Sequence, residues 1–245
     1  MNTFYVTLPS NSSKKLFPGN TAANYKTQLT HPIDLTGEWE VGLAEIQYMH
    51  SWYTVKDEKI RVGTQVYKLD GYYDSFTELC EKLNSDIQER QKEGETCSVK
   101  FRYDTYIRKI KVKNPDRIAI KIPRNVCYLF GFEIADGQKE LTVTEHKKKS
   151  DYIPDLKQGM YALYVYCDLV APHMVGDVKV PLLRIVPIEK GDIITKTYEH
   201  IQYFPVMIKR FHTVEIDIKD DTNRSVSFHG GKSTVTLHFR QRQPT

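Results

Sequence analysis

The residues Met160-Tyr161-Ala162-Leu163-Tyr164-Val165-Tyr166-Cys167-Asp168-Leu169-Val170 are the most continuously apolar and aromatic stretch of the chain. Such a run predicts a central β-strand. Because side chains alternate across a strand, Tyr161, Leu163, Val165, Cys167 and Leu169 share one face, and Met160, Ala162, Tyr164, Tyr166 and Asp168 the other. The first face must pack against a second sheet. The tyrosines of the second face combine apolar rings with polar tips, which suits either cover by loops or contact with another subunit.

Further strands are predicted over residues 3–8, 24–29, 39–48, 60–69, 97–103, 106–112, 118–122, 141–144, 178–187, 198–208, 213–218 and 235–240. His31-Pro32 is expected to end the second of these, since the residue before proline is pushed out of regular pairing. In the third, Trp39, Val41 and Leu43 are apolar in one phase and Ala44, Ile46 and Tyr48 in the other. That switch predicts a bulge near residues 42–44. Ser75 and Glu78 stand in capping-box spacing and open a helix whose stripe is Phe76, Leu79, Cys80, Leu83 and Ile87, ending before Gly94. Residues 125–130 read as a helical turn before Gly131, and His146-Lys147-Lys148-Lys149-Ser150 as a solvated basic loop, with nuclear import or polyanion contact as the sharper alternative. The pattern is all-β with one helix. It predicts a single jelly-roll β-sandwich, one domain over residues 1–245 with a helical insertion near 74–92.

The chemistry-bearing residues do not gather. Cys80, Cys97, Cys127 and Cys167 are far apart and read as reduced, mostly buried thiols, and the eight histidines form no His-x-His or His-Glu-x-x-His group. Gly231-Lys232-Ser233-Thr234 has the end of a phosphate-binding loop, but Val226 stands where its first glycine belongs and a strand follows, so a hairpin turn is expected. No catalytic residue, metal ligand or cofactor is assigned, and the chain is not expected to be an enzyme. A net charge of +4, from 35 basic and 31 acidic residues, gives no basic stripe, so no specific nucleic acid is expected as partner. The lack of an apolar run of about 18 residues, and an N-terminus without a signal pattern, predict a chain that neither spans a membrane nor is secreted.

Two segments carry a resemblance. The first is Phe17-Pro18-Gly19-Asn20-Thr21-Ala22-Ala23-Asn24-Tyr25-Lys26-Thr27-Gln28-Leu29, continuing through Pro32-Ile33-Asp34-Leu35 and Gly37-Glu38-Trp39-Glu40-Val41-Gly42-Leu43-Ala44-Glu45-Ile46 to Tyr48-Met49-His50-Ser51-Trp52. The second is Tyr166-Cys167-Asp168-Leu169-Val170-Ala171-Pro172-His173-Met174-Val175-Gly176-Asp177 with Pro181-Leu182-Leu183-Arg184. Both resemble the minor capsid (penton) protein of the Polinton (Maverick) viruses and transposons. The resemblance implies a single jelly-roll structural protein, a homopentamer closing the five-fold vertices of an icosahedral shell. Its implied partner is a separate double jelly-roll major capsid protein, with no membrane involved. The implied location is the virion, at the capsid vertex, for a protein made intracellularly, with nuclear assembly left open. The alternative is a soluble jelly-roll binding module of lectin or receptor-ligand type. Candidate subunit-interface residues are Tyr164, Tyr166, His173, Met174, Trp52 and Tyr53, aromatic or loop-borne apolar side chains of the kind interfaces favour. The segment from Ala171 to Asp177 is expected to be a surface loop used in that contact.

Overall fold

The computed structural model describes residues 2–91, 97–157, 160–189 and 191–242. The chain divides into two compact units, Met1–Trp52 with Met160–Thr245, and Tyr53–Gly159. The first unit begins with β1 (Thr3–Pro9), β2 (Asn24–Asp34) and β3 (Trp39–Met49). The second contains β4 (Lys59–Val62), β5 (Gln65–Lys68), α1 (Phe76–Gln91), β6 (Lys100–Asp104), β7 (Lys109–Lys113), β8 (Ile120–Pro123), α2 (Arg124–Phe130), β9 (Glu140–Val143) and β10 (Lys147–Lys149). The first unit then resumes with β11 (Ala162–Cys167), β12 (His173–Val175), β13 (Val178–Val180), β14 (Leu182–Pro187), β15 (Ile193–Thr197), β16 (Phe204–Pro205), β17 (Arg210–Lys219) and β18 (Thr234–Gln241).

In the first unit one sheet runs β1-β18-β3-β15 and the other β14-β11-β17-β2. These eight strands, taken in chain order, pair first with eighth, second with seventh, third with sixth and fourth with fifth, always antiparallel. That is one long hairpin rolled into two sheets, a jelly-roll β-sandwich. Its core combines Val41, Leu43, Ile46, Val235, Leu237 and Phe239 of one sheet with Leu163, Val165, Cys167, Val214, Ile216 and Ile218 of the other. The strand predicted around Val165 is an inner strand of its sheet, and its alternate residues Leu163, Val165 and Cys167 are buried. Tyr161, expected on that dry face, lies outside the paired strand and is 58% exposed. The buried hydroxyl of Tyr25 donates to the Leu8 carbonyl, joining β2 of one sheet to β1 of the other.

The helical insertion expected near 74–92 is one element of a larger unit with its own core. Val62, Leu79, Leu83, Ile87, Phe101, Ile120, Leu129, Phe130 and Phe132 are buried there. Ser75 Oγ accepts from Glu78 N, and Glu78 reaches back to Asp74 N rather than to Ser75 N, so the cap satisfies two free donors one residue out of the standard spacing. The helix stripe is buried throughout; Gly94, read as its stop, lies outside the described residues.

Several boundaries differ for identifiable reasons. The run 60–69 is a hairpin, β4 against β5, because Gly63 at φ +59° turns the chain between Val62 and Gln65. β2 continues past Pro32 to Asp34: it is an edge strand, and Pro32 sits where the pairing with β17 skips from Ile33 to Gln28, so no ladder bond is lost. The basic run is a strand, with Lys147–Lys149 paired to β7. Within 178–187 Pro181 interrupts the strand, and within 198–208 the pairing shrinks to Phe204–Pro205 against β3 and a single bridge from Val206 to Val170. Ile193–Thr197 pairs with β3. Gly231-Lys232 leads into β18 from the other sheet instead of turning a hairpin, because β17 and β18 belong to opposite layers.

Candidate subunit interface

The segment from Ala171 to Asp177 is half of a hairpin. β12 pairs with β13, Val175 opposite Val178, and Gly176 at φ +61° makes the turn with Asp177. A two-stranded ribbon is marginal alone, and this one is held at its base. The His173 ring stacks on Phe204 at 4.3 Å with 9° between the planes. Ala171 N donates to the Pro205 carbonyl and Met207 N to the Leu169 carbonyl, at 2.9 and 3.0 Å. Anchored in this way, the hairpin leaves Met174 65% and Val178 52% exposed, and the strap it is stitched to leaves Met207 58% exposed, with Ile208 also open. Apolar side chains presented by a rigid turn are what a protein–protein contact uses.

Tyr164 and Tyr166 lie half-buried on the outer face of β11. Register puts Tyr164 between Lys219 and the exposed Ile185, and Tyr166 beside Asp217. Lys219 Nζ sits 5.4 Å from the Tyr166 ring and 3.2 Å from Asp217, and burial raises the Tyr166 hydroxyl above the usual phenol range. Tyr53 is 47% exposed and belongs to the second unit. Trp52 is not surface: its ring lies 5.5 Å from Phe228, 6.1 Å from Tyr48 and 4.0 Å from His50, inside the sandwich core. Its size and position after a strand end suit closing that core, but its ring partner Phe228 is too distant in sequence for any local pattern to reveal it. The exposed Met207 and Ile208 are not singled out by the sequence pattern; their signal is the apolar run Val206-Met207-Ile208 after Pro205, where a strand cannot pair regularly.

Arg184, in the second resembling segment, stacks on Tyr198 with its guanidinium carbon 3.6 Å from the ring centroid and donates to the His200 carbonyl. Tyr198 N in turn donates to the Ala44 carbonyl, in the first segment. Tyr198 therefore bridges the two segments within the sandwich.

Two solved structures share this fold. The crystal structure of the selenomethionine-labelled mavirus penton protein is similar at TM-score 0.54 and 13% identity, covering 98% of this chain and 99% of that one. A chain of the Sputnik virophage, solved by cryo-EM, is similar at TM-score 0.52 and 11% identity over 98% of each. No protein-family model and no curated protein matches the sequence.

Among the described residues no three His, Cys, Asp or Glu side chains gather as a metal would require. Burial pushes the Cys80 thiol up to about 12 and Cys127 up to about 11, and raises Cys167 as well, so these thiols stay protonated and weakly nucleophilic.

Proposed function

We propose that this chain is a structural minor capsid protein of penton type, five copies of which close a five-fold vertex of an icosahedral shell. The observation that carries the reading is the wound strand order with a compact unit set between its third and fourth strands, in a chain matched end to end by a penton protein's structure. The surrounding shell would be the double jelly-roll major capsid protein, the place the virion vertex, and the role structural rather than catalytic.

The hairpin with Met174 and Val178, the strap with Met207, and the tyrosine face of β11 with Tyr164 and Tyr166 are the surfaces we assign to the ring. A ring needs two different patches that meet by a rotation which closes. A contact stable without the shell buries roughly 1,000 Å² or more. The test is the symmetry of the concentrated protein by native mass and electron microscopy, and of the vertex in particles co-expressed with the major capsid protein. Five-fold rings are expected. A dimer, a trimer or an open fibre at the vertex overturns the reading in favour of a soluble jelly-roll binding module. Nuclear assembly predicts that a tagged chain collects in the nucleus, which imaging decides.

A further inference from the structure

The sheet β10-β7-β6 of the second unit sets cations against cations. Its register places Lys100, Lys113 and Lys147 side by side across three strands, and Arg102, Lys111 and Lys149 side by side in the next row of the same face. All six are exposed, while Phe101, Ile110 and Val112 on the opposite face are buried. Like charges directly opposite in a sheet cost stability. Of the six, Lys111 alone has a carboxylate within ion-pairing distance among the described residues, Asp104 at 2.6 Å. Lys148, on the other face, is the one that pairs with Glu145.

The array is not flat surface. α1 caps the β6 edge, its Asn84 side chain donating to the Phe101 carbonyl and accepting from Phe101 N. The result is a cleft of about 900 Å³ lined by the two cationic rows, with Thr77, Glu81 and Asn84 of α1. Strand geometry spaces the cations at about 4.8 Å across the strands and about 6.8 Å along them. A linear polymer with closely repeating anions can therefore meet several at once.

The chemistry favours a polyanion without bases. Single-stranded nucleic acid is usually held by aromatic rings under the bases as well as by charge. Phe101 is buried in the core, 6.2 Å from Phe130, and Tyr103, at the margin of the cleft, is half-buried with its ring packed 5.4 Å from Phe76 on the face opposite the cations. The exposed ring near the array, Tyr106, lies beyond it in the β6–β7 turn. We infer that this cleft binds a linear sulfated or carboxylated polysaccharide, its anions seated over the two cationic rows. The site lies wholly within the second unit and does not depend on the capsid reading.

The test uses the full chain and a labelled heparin decasaccharide, with a single-stranded DNA oligomer and a DNA duplex at matched salt. Saturable heparin binding is expected, falling steeply between roughly 50 and 200 mM salt as condensed counterions cease to drive it. Lys113→Glu and Lys149→Glu are each expected to weaken it about tenfold. Each also replaces a cross-strand repulsion by an ion pair, so the melting temperature holds or rises, which separates lost binding from lost folding. Lys59→Glu, exposed on β4, is the control and leaves binding unchanged. Heparin affinity unaltered by both reversals, or tighter binding to either DNA than to heparin, overturns the proposal.

Discussion

His238 lies between Tyr5, whose ring centroid is 4.4 Å away, and Tyr203, whose hydroxyl is 2.7 Å from Nδ1. Burial first, and then the nearby Arg240 cation, hold its pKa below the ordinary histidine value. Arg240 is itself stacked on Tyr203 at 3.6 Å and bound to Glu40 through Nε and Nη2. A histidine whose pKa is depressed by folding binds more protons unfolded than folded, so stability rises with pH across its titration. The contribution is complete above the unfolded pKa of about 6.5 and is lost as pH falls through it toward the lower folded value. Melting temperatures measured from pH 8 to pH 5 should therefore fall, and His238→Gln should flatten the part of that slope nearest pH 6.5. If the slope is unchanged in the variant, other groups carry it. The alternation of β18 put His238 on the polar side, correctly for its strand. What the alternation could not carry is that Tyr203, thirty-five positions earlier, covers that side. The same limit hid Trp52, whose ring partner Phe228 lies far along the chain.

The third strand shows how an element can be legible while its use is not. Pairing of β18 with β3 jumps from Glu45 at Thr236 to Leu43 at Leu237, which leaves Ala44 as the extra residue of a bulge, within the span where the apolar phase switches. The freed Ala44 carbonyl accepts from Tyr198 N, tying down the segment that crosses the sheet's outer face. Two residues earlier, a Cβ on Gly42 would stand 2.3 Å from the Gln202 carbonyl oxygen and 2.4 Å from Ile201 Cγ2. Gly42→Ala must push that segment away, and urea denaturation should show a loss of about 1–3 kcal/mol. Gly19→Ala, with nothing within 4 Å of its added carbon, should stay within about 0.5 kcal/mol. At the start of α1, Ser75→Ala removes the acceptor of Glu78 N and should cost about 1 kcal/mol by the same measurement. Elements with one buried face, such as β17, β18 and α1, could be read from period alone. Those cut by a turn or a proline, such as β4 with β5 and β13 with β14, could not, because a two-residue turn hardly disturbs alternation.

At the scale of the molecule, two cores share one chain, and composition gave no boundary between them because neither Trp52-Tyr53 nor the approach to Met160 reads as a linker. Separate buried clusters predict that a fragment spanning Tyr53–Gly159 unfolds cooperatively in urea; a featureless loss of signal would show that its core needs the rest of the chain. Assembly belongs to the same scale, and Met174 tests it because its side chain contributes little to the isolated fold. It is 65% exposed, opposite Lys179 in the β12–β13 pairing, at a hairpin whose anchor is His173 on Phe204 one residue earlier. Met174→Asp should therefore leave the melting temperature within the small range typical of surface substitutions. In a contact between subunits the same change buries a charge without a partner, a penalty far larger than any loss of apolar area. A closed ring repeats one contact at every subunit, so the penalty recurs at each, and assembly responds more sharply than a single pair would. Particle yield and native mass of wild type, Met174→Asp and Met174→Leu should thus separate cleanly, with rings for the first and third and folded monomer for the second. Rings from Met174→Asp would remove the hairpin from the contact, and an unfolded variant would show that the hairpin serves its own domain.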